Sequence, residues 1–182
     1  MCLSTHTLFE TSLDRAFDRT PPKFRTYPLG RTVTGAFAVS DQGAIWIGDY
    51  EPSGPSKAFK FTLSTIENLA EETTLSAEAA SVVVPIPSYC QGGSIDSSQR
   101  FWIARSDIGW GFLDMIDPVT GTLEQRYAVP AGIEGVAFED SKLWAVSEAG
   151  VRHLPWPLSV FSADFPDRSG AAQSRRLSPV AR

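Results

Sequence analysis

Five carboxylates stand in short polar breaks between apolar runs: Asp49 and Glu51 in GDYEP, Asp107 in RSDIG, Glu134 in GIEGV and Glu148 in VSEAG. Carboxylate oxygens gathered from several loops are the ligands that a hard divalent cation, calcium or magnesium, takes. Glu134 is the first choice among them because it interrupts an otherwise apolar segment, and Glu134 with Glu148 forms the candidate metal pair. Tyr50, Gln91 and Arg105 fall in the same kind of break and add hydrogen-bonding groups. Trp110 sits between Gly109 and Gly111 in DIGWG, where an exposed indole would stack on a sugar ring or another flat ligand.

Other chemistries lack a motif. The sequence contains no G-x-S-x-G, HExxH, P-loop or GxGxxG pattern, which leaves nucleophilic hydrolysis and nucleotide binding without support. His6 and His153 read as solvated loop residues rather than general bases. Cys90 reads as a buried structural thiol, and two cysteines make no disulfide framework. A formal charge of -5 supplies no basic field for phosphates, so nucleic acid is not an expected partner and a neutral or cationic ligand fits better. The longest apolar runs, such as Ser81 to Ile86, are too short to span a bilayer, and no membrane association is expected. The first twenty residues lack the basic and apolar regions of a secretory signal, so the chain as it stands reads as cytoplasmic, with export of a longer precursor left open.

What positions these residues is a repeat. Trp46, Trp102 and Trp144 each centre a β-forming run, Ala44 to Ile47, Phe101 to Ala104 and Leu143 to Val146. A turn precedes each run: Ser40-Asp41-Gln42-Gly43, Ser97-Ser98-Gln99 or Glu139-Asp140-Ser141. Before each turn lies a further strand, opened by a glycine at Gly35, Gly92-Gly93 or Gly135. Third strands follow at Ala58 to Thr62 and Gly111 to Ile116, and Asp117 to Gly121 turns the second copy into an outer strand, Leu123 to Val129. Four antiparallel strands in about 42 residues, repeated, predict an all-β protein built of β-propeller blades. The first copy is longer by 14 residues, and Ser64 to Ala80 takes up the difference, with Ser64 and Glu67 as a capping box opening a short helix.

The hairpins FAVSDQGAIWIGDY, SIDSSQRFWIARS and VAFEDSKLWAVSE resemble those of six- and seven-bladed propellers of the gluconolactonase, NHL-repeat and virginiamycin B lyase type. The resemblance covers about Pro22 to Leu154 and implies a ligand face where the loops entering each first strand meet those leaving each second strand. Entry positions are then Thr34, Gln91 and Glu134, and exit positions are Asp49 to Glu51, Arg105 to Asp107, and Ser147-Glu148. Residues 1-21 are expected to be irregular, 22-157 to form blades at about 30-84, 85-128 and 129-157, and 158-182 to be a disordered tail. About three blades are fewer than a closed ring needs, so either two chains complete one ring through their open blade edges or the chain is part of a longer propeller. The expected function is binding of a small molecule or partner at the channel face. The alternatives are a metal-dependent lactonase or lyase, and a protein-interaction scaffold.

Overall fold

The computed structural model describes residues 7–10, 24–139, 142–147 and 159–164. Two four-stranded antiparallel sheets form the centre. The first runs β3 (Phe37–Asp41), β4 (Ala44–Gly48), β5 (Ser56–Thr62) and β6 (Val82–Ile86); the second runs β7 (Cys90–Ile95), β8 (Phe101–Asp107), β9 (Trp110–Ile116) and β10 (Leu123–Val129). In each, strands adjacent in sequence are adjacent in the sheet. A three-stranded sheet follows, β11 (Ile133–Glu139), β12 (Lys142–Ser147) and β13 (Ser159–Asp164), and β1 (Thr7–Glu10) pairs with β2 (Arg25–Pro28).

All three tryptophan runs are second strands of their sheets, as the repeat requires. Three boundaries differ from the sequence reading. Thr7–Glu10 is a strand inside the segment expected to be irregular, and Ser159–Asp164 is a strand inside the expected tail. Both are short β-forming stretches lying outside the periodic pattern, and each is held by a complete partner: β1 by β2, and β13 by β12 from Lys142↔Asp164 to Ser147↔Ser159. Trp110 is the first residue of β9 rather than part of a loop, because Ile108 and Gly109 alone make the turn, with Gly109 at φ 87°.

The insertion also differs in its cap. Helix α1 (Leu63–Glu67) starts directly from β5, so the N-cap is Thr62, whose hydroxyl accepts from the Thr65 N–H at 3.1 Å. The expected Ser64–Glu67 box does not form, since Ser64 already lies within the helix. Beyond α1 the chain lies along the second edge of β2. The Glu72 N–H donates to the Thr26 carbonyl at 3.0 Å, Leu75 N–H to Pro28 at 2.8 Å, and Gly30 N–H to Leu75 at 2.9 Å. The extra residues of the first copy therefore seal an edge that would otherwise present a row of unpaired backbone groups.

The three sheets stack through two apolar layers, with first strands in contact, β3 on β7 and β7 on β11. Trp46 of the first sheet meets Phe101 of the second at 5.4 Å between ring centroids, and Trp102 meets Phe138 of the third at 5.5 Å. Val39, Ala58, Val84, Ile86, Cys90, Ile103 and Ile116 fill the first interface. The close approach of β7 to β11 requires Gly92: a Cβ there would run into the carbonyl oxygen of Glu134.

Gly43, at φ 85° in the β3–β4 turn, has nothing within 4 Å of its would-be Cβ. Gly92→Ala should therefore lower the unfolding free energy by about 3 kcal/mol, a steric clash with backbone, and Gly43→Ala by about 1 kcal/mol, conformational strain alone. Urea denaturation of both variants checks this, and equal losses would count against the close sheet contact.

Candidate functional site

Short connections and alternating strand direction bring the loops at 29–36, 49–55, 87–89, 108–109 and 130–132 to one end of the stacked sheets. Most of the residues singled out from sequence lie there. Asp49 fastens the first loop to the end of β4: its Oδ1 accepts from the Thr34 N–H at 2.7 Å and from the Gly35 N–H at 3.4 Å. Burial pushes its carboxyl above the usual aspartate range, although both N–H donors pull the other way.

Beyond Asp49 the rings of Tyr50, Tyr89 and Trp110 follow one another. Tyr50 and Tyr89 meet edge to face at 6.2 Å and 88°, and Tyr89 and Trp110 at 5.4 Å and 80°. Phe112 continues the run at 5.3 Å from Trp110. Tyr89 is held in the left-handed region at φ 60°, an unfavourable conformation for a bulky side chain. It is locked there by backbone bonds on both sides, its N–H to the Glu51 carbonyl at 3.2 Å and its carbonyl accepting from Ser106 N–H at 3.3 Å. The strained turn is what sets its ring between the other two.

Arg105 lies beneath this run and is buried. Its Nε donates to the Ser88 carbonyl at 2.6 Å and its Nη1 to Asp114 Oδ2 at 3.0 Å, while the guanidinium rests 5.7 Å from the Trp110 ring centroid. Asp114, wholly buried, also takes Arg126 through Nε at 2.7 Å and Nη2 at 2.9 Å. Arg105 is thus a positioning residue for Trp110, with its hydrogen-bonding capacity turned inward. Removing the shared counter-ion strands two guanidinium groups: Asp114→Ala should cost about 3–5 kcal/mol in chemical denaturation, and a loss below about 1 kcal/mol would show the cluster to be solvated like a surface pair.

Three of the carboxylates singled out from sequence accept hydrogen bonds from backbone N–H groups, and the Glu134–Glu148 pair falls partly outside the described residues. The Ser53 hydroxyl, and after it the Ser53 N–H at 3.0 Å, donate to Glu51 Oε1 and hold its carboxyl below the usual range. Asp107 accepts from the Ile108 N–H at 2.7 Å. Gln91 and Glu134 occupy matching places, each the extra residue of a β-bulge at the start of its strand, between Cys90 and Gly92 and between Ile133 and Gly135. The bulge accounts for a polar residue interrupting an apolar strand. Glu148 and His153 lie outside the described residues. Among the described residues no three of His, Cys, Asp and Glu converge on a point where a metal ion would sit. Cys90 is buried, its thiol donates to the Pro87 carbonyl, and burial pushes its pKa up to about 12, so it is not a nucleophile at neutral pH.

Two acids prove to be central: Asp41, which the sequence reading placed in a turn, and Asp96, which it did not single out. The Trp46 Nε1–H donates to Asp41 Oδ2 at 3.0 Å, and the Trp102 Nε1–H to Asp96 Oδ2 at 2.9 Å. Each buried carboxylate also takes a cation, Lys60 at 2.7 Å or Arg100 at 2.6 Å, which lies over the same indole at 5.4 or 5.8 Å. The signal was an aspartate five or six residues before tryptophan in two copies. Asp114, Arg126, Tyr89 and Ser88 left no comparable trace.

No protein-family model matches the chain, and no curated protein is similar enough to count as a relative. Among the described residues no helix is long and apolar enough to cross a membrane.

Burial alone would raise the carboxyl of Asp96, but the Trp102 indole, the Arg100 N–H and the Arg100 guanidinium outweigh it and hold the pKa below the usual value. The stability it contributes is present above the ordinary aspartate pKa of about 3.9 and is lost as pH falls through the lower folded value. The stability gap between wild type and Asp96→Asn should therefore be widest at neutral pH and shrink as the pH drops below about 4. A gap unchanged from neutral to strongly acid pH, by denaturant titration, would contradict the assignment.

Proposed function

We propose that the protein is a β-propeller-type binding protein and that the loop end of its sheets holds a small ring-bearing molecule. Repeated four-stranded meanders, stacked with their first strands side by side, support the architecture. One observation carries the site: three partly exposed rings, Tyr50 from the β4–β5 connection, Tyr89 from the β6–β7 connection and Trp110 from the start of β9, held together around a strained backbone turn. Strain of this kind persists where surrounding structure enforces it, and it clusters at ligand sites. Aromatic rings at the edge of a core offer flat apolar area with little conformational entropy to lose on binding. A metal-dependent reaction has weaker support, since Asp49 is engaged by the N–H groups of Thr34 and Gly35, and Glu51 and Asp107 each accept from an N–H group of their own loop.

A small panel of cyclic compounds, sugars and planar aromatics, screened by saturation-transfer NMR, tests the proposal. Compounds that receive saturation from the wild type should lose it with Trp110→Ala and regain part of it with Trp110→Phe, which keeps the ring. Saturation indifferent to both substitutions would place binding elsewhere.

A further inference from the structure

Two arginines share one acid beside the ring run. Arg105 and Arg126 both pair with the wholly buried Asp114, and among the described residues neither has a second carboxylate within ion-pair distance. The cluster therefore carries one positive charge in excess, although Arg105 is only 8% exposed. Charges withdrawn from water are ordinarily balanced by a partner of opposite sign. Arg105 turns its nitrogens to Ser88 and Asp114, whereas the Arg126 side chain is 40% exposed, so a balancing group can reach the cluster at Arg126.

The hydrogen bonds of Arg126 leave a usable edge. Asp114 takes one N–H from Nε and one from Nη2, the side edge of the planar fork. The end edge, Nη1 with the remaining N–H of Nη2, has no partner among the described residues, and its parallel donors match the oxygens of a carboxylate. The guanidinium carbon lies 4.9 Å from the centroid of the Phe112 ring, and Phe112 lies 5.3 Å from Trp110. Trp110, Phe112 and Asp114 share one face of β9, and Arg126 stands opposite Asp114 across the ladder. The open edge and the rings therefore belong to one surface.

Charge is unevenly spread along that surface. Glu51, whose carbonyl accepts from the Tyr89 N–H, and Asp107, opposite Trp110 in the register, stand at one end, and the Arg126 guanidinium stands at the Phe112 end. A molecule lying along the run thus turns a neutral ring toward Tyr89 and Trp110 and an anionic group toward Arg126. An excess of one charge matches a carboxylate rather than a doubly charged phosphate. The net charge of -5 opposes this only weakly, because charges more than about 10 Å away are largely screened at ordinary salt.

We propose that Arg126 is the anion-binding residue of the ring site and that the ligand is a ring-bearing carboxylate: its ring packs on Trp110 and its carboxylate takes the open guanidinium edge. This rests on the binding reading above and specifies its ligand.

Ligand-observed NMR titration of the full chain with 3-arylpropionates, 3-arylpropionamides and 3-arylpropylamines, in a phenyl and an indolyl series, tests this, with 2-phenylethyl phosphate as the dianion. The carboxylate of at least one series should bind about tenfold or more tightly than its amide and amine, the worth of a charge-assisted pair, and the phosphate no more tightly than the carboxylate. Arg126→Gln should bring the acid down to the level of the amide and leave the amide unchanged. Arg126→Lys keeps a cation beside Asp114 but lacks the fork, and should weaken the acid about three- to tenfold; this variant decides the matter where the glutamine variant does not fold. Trp110→Ala should weaken acid and amide alike. Equal binding of acid and amide, or a preference for the acid that survives both Arg126 substitutions, would overturn the anion site, and Trp110-dependent binding of the amide would then leave the ring site in place. Tighter binding of the phosphate would overturn the carboxylate assignment. No response to any probe at concentrations of about 10 mM, where even millimolar affinity saturates, would remove both readings.

Discussion

The arrangement of the sheets depends on a buried carboxylate that holds an indole. Asp41 and Asp96 are each 6% exposed, at the point where the first strand of a sheet hands over to the second. An isolated charge in such a place would cost several kcal/mol. Each is instead surrounded by donors, the indole N–H and a lysine or arginine, and Asp96 also takes the N–H groups of Ser98 and Arg100. The cation then covers the indole face. One polar group thereby fixes the hairpin and the rotamer of the largest side chain in its sheet. Because Trp46 and Trp102 are the rings that reach across to Phe101 and Phe138, fixing their rotamers also fixes how neighbouring sheets meet.

From that packing the position of the ring site follows. Stacked sheets with first strands in contact bring the connections of different sheets to a common end. Residues 50, 89 and 110 are then neighbours although they are separated by dozens of positions. The second sheet contributes most of the support. Asp114 anchors Arg105 beneath Trp110 and Arg126 beside Phe112, whose ring lies 4.9 Å from the Arg126 guanidinium carbon. The site is rigid because its supports are strands and a buried ion cluster, and only the Tyr89 turn departs from low-energy backbone.

The strands and their order were legible in the sequence because a β-strand announces itself locally: apolar and β-branched residues, a turn, and a tryptophan recurring at a nearly fixed interval. The end at which Asp49, Tyr50, Arg105, Asp107 and Trp110 lie was legible for the same reason. What these side chains do was not. Glu134 drew attention because it broke an apolar run, and the β-bulge seen in the register Ile133↔Ser147 followed by Gly135↔Val146 gives that break a backbone cause which composition alone does not reveal. Asp41 looked like a turn residue, since its pairing with the Trp46 indole is a matter of side-chain direction rather than composition. β1 and β13 were missed because neither belongs to the period, and a strand of four to six residues outside a repeat has no signal stronger than that of any short apolar loop.

The two kinds of tryptophan show how one residue type divides between the interior and the rim of a single fold. Trp46 and Trp102 donate their N–H inward to a buried acid and lie in the layer between sheets, so a ligand has no access to them. Trp110 stands one strand further out, at the start of β9, where the sheet meets its loops. There the supporting cation comes from below, from Arg105, and the acid that neutralises it, Asp114, is four residues along the same strand as Trp110. Moving the carboxylate from the indole to the arginine is the decisive difference. It keeps a charged group under the ring without closing the ring into the core, so the same cation–indole contact that seals the interior at Trp46 and Trp102 leaves Trp110 partly open to solvent.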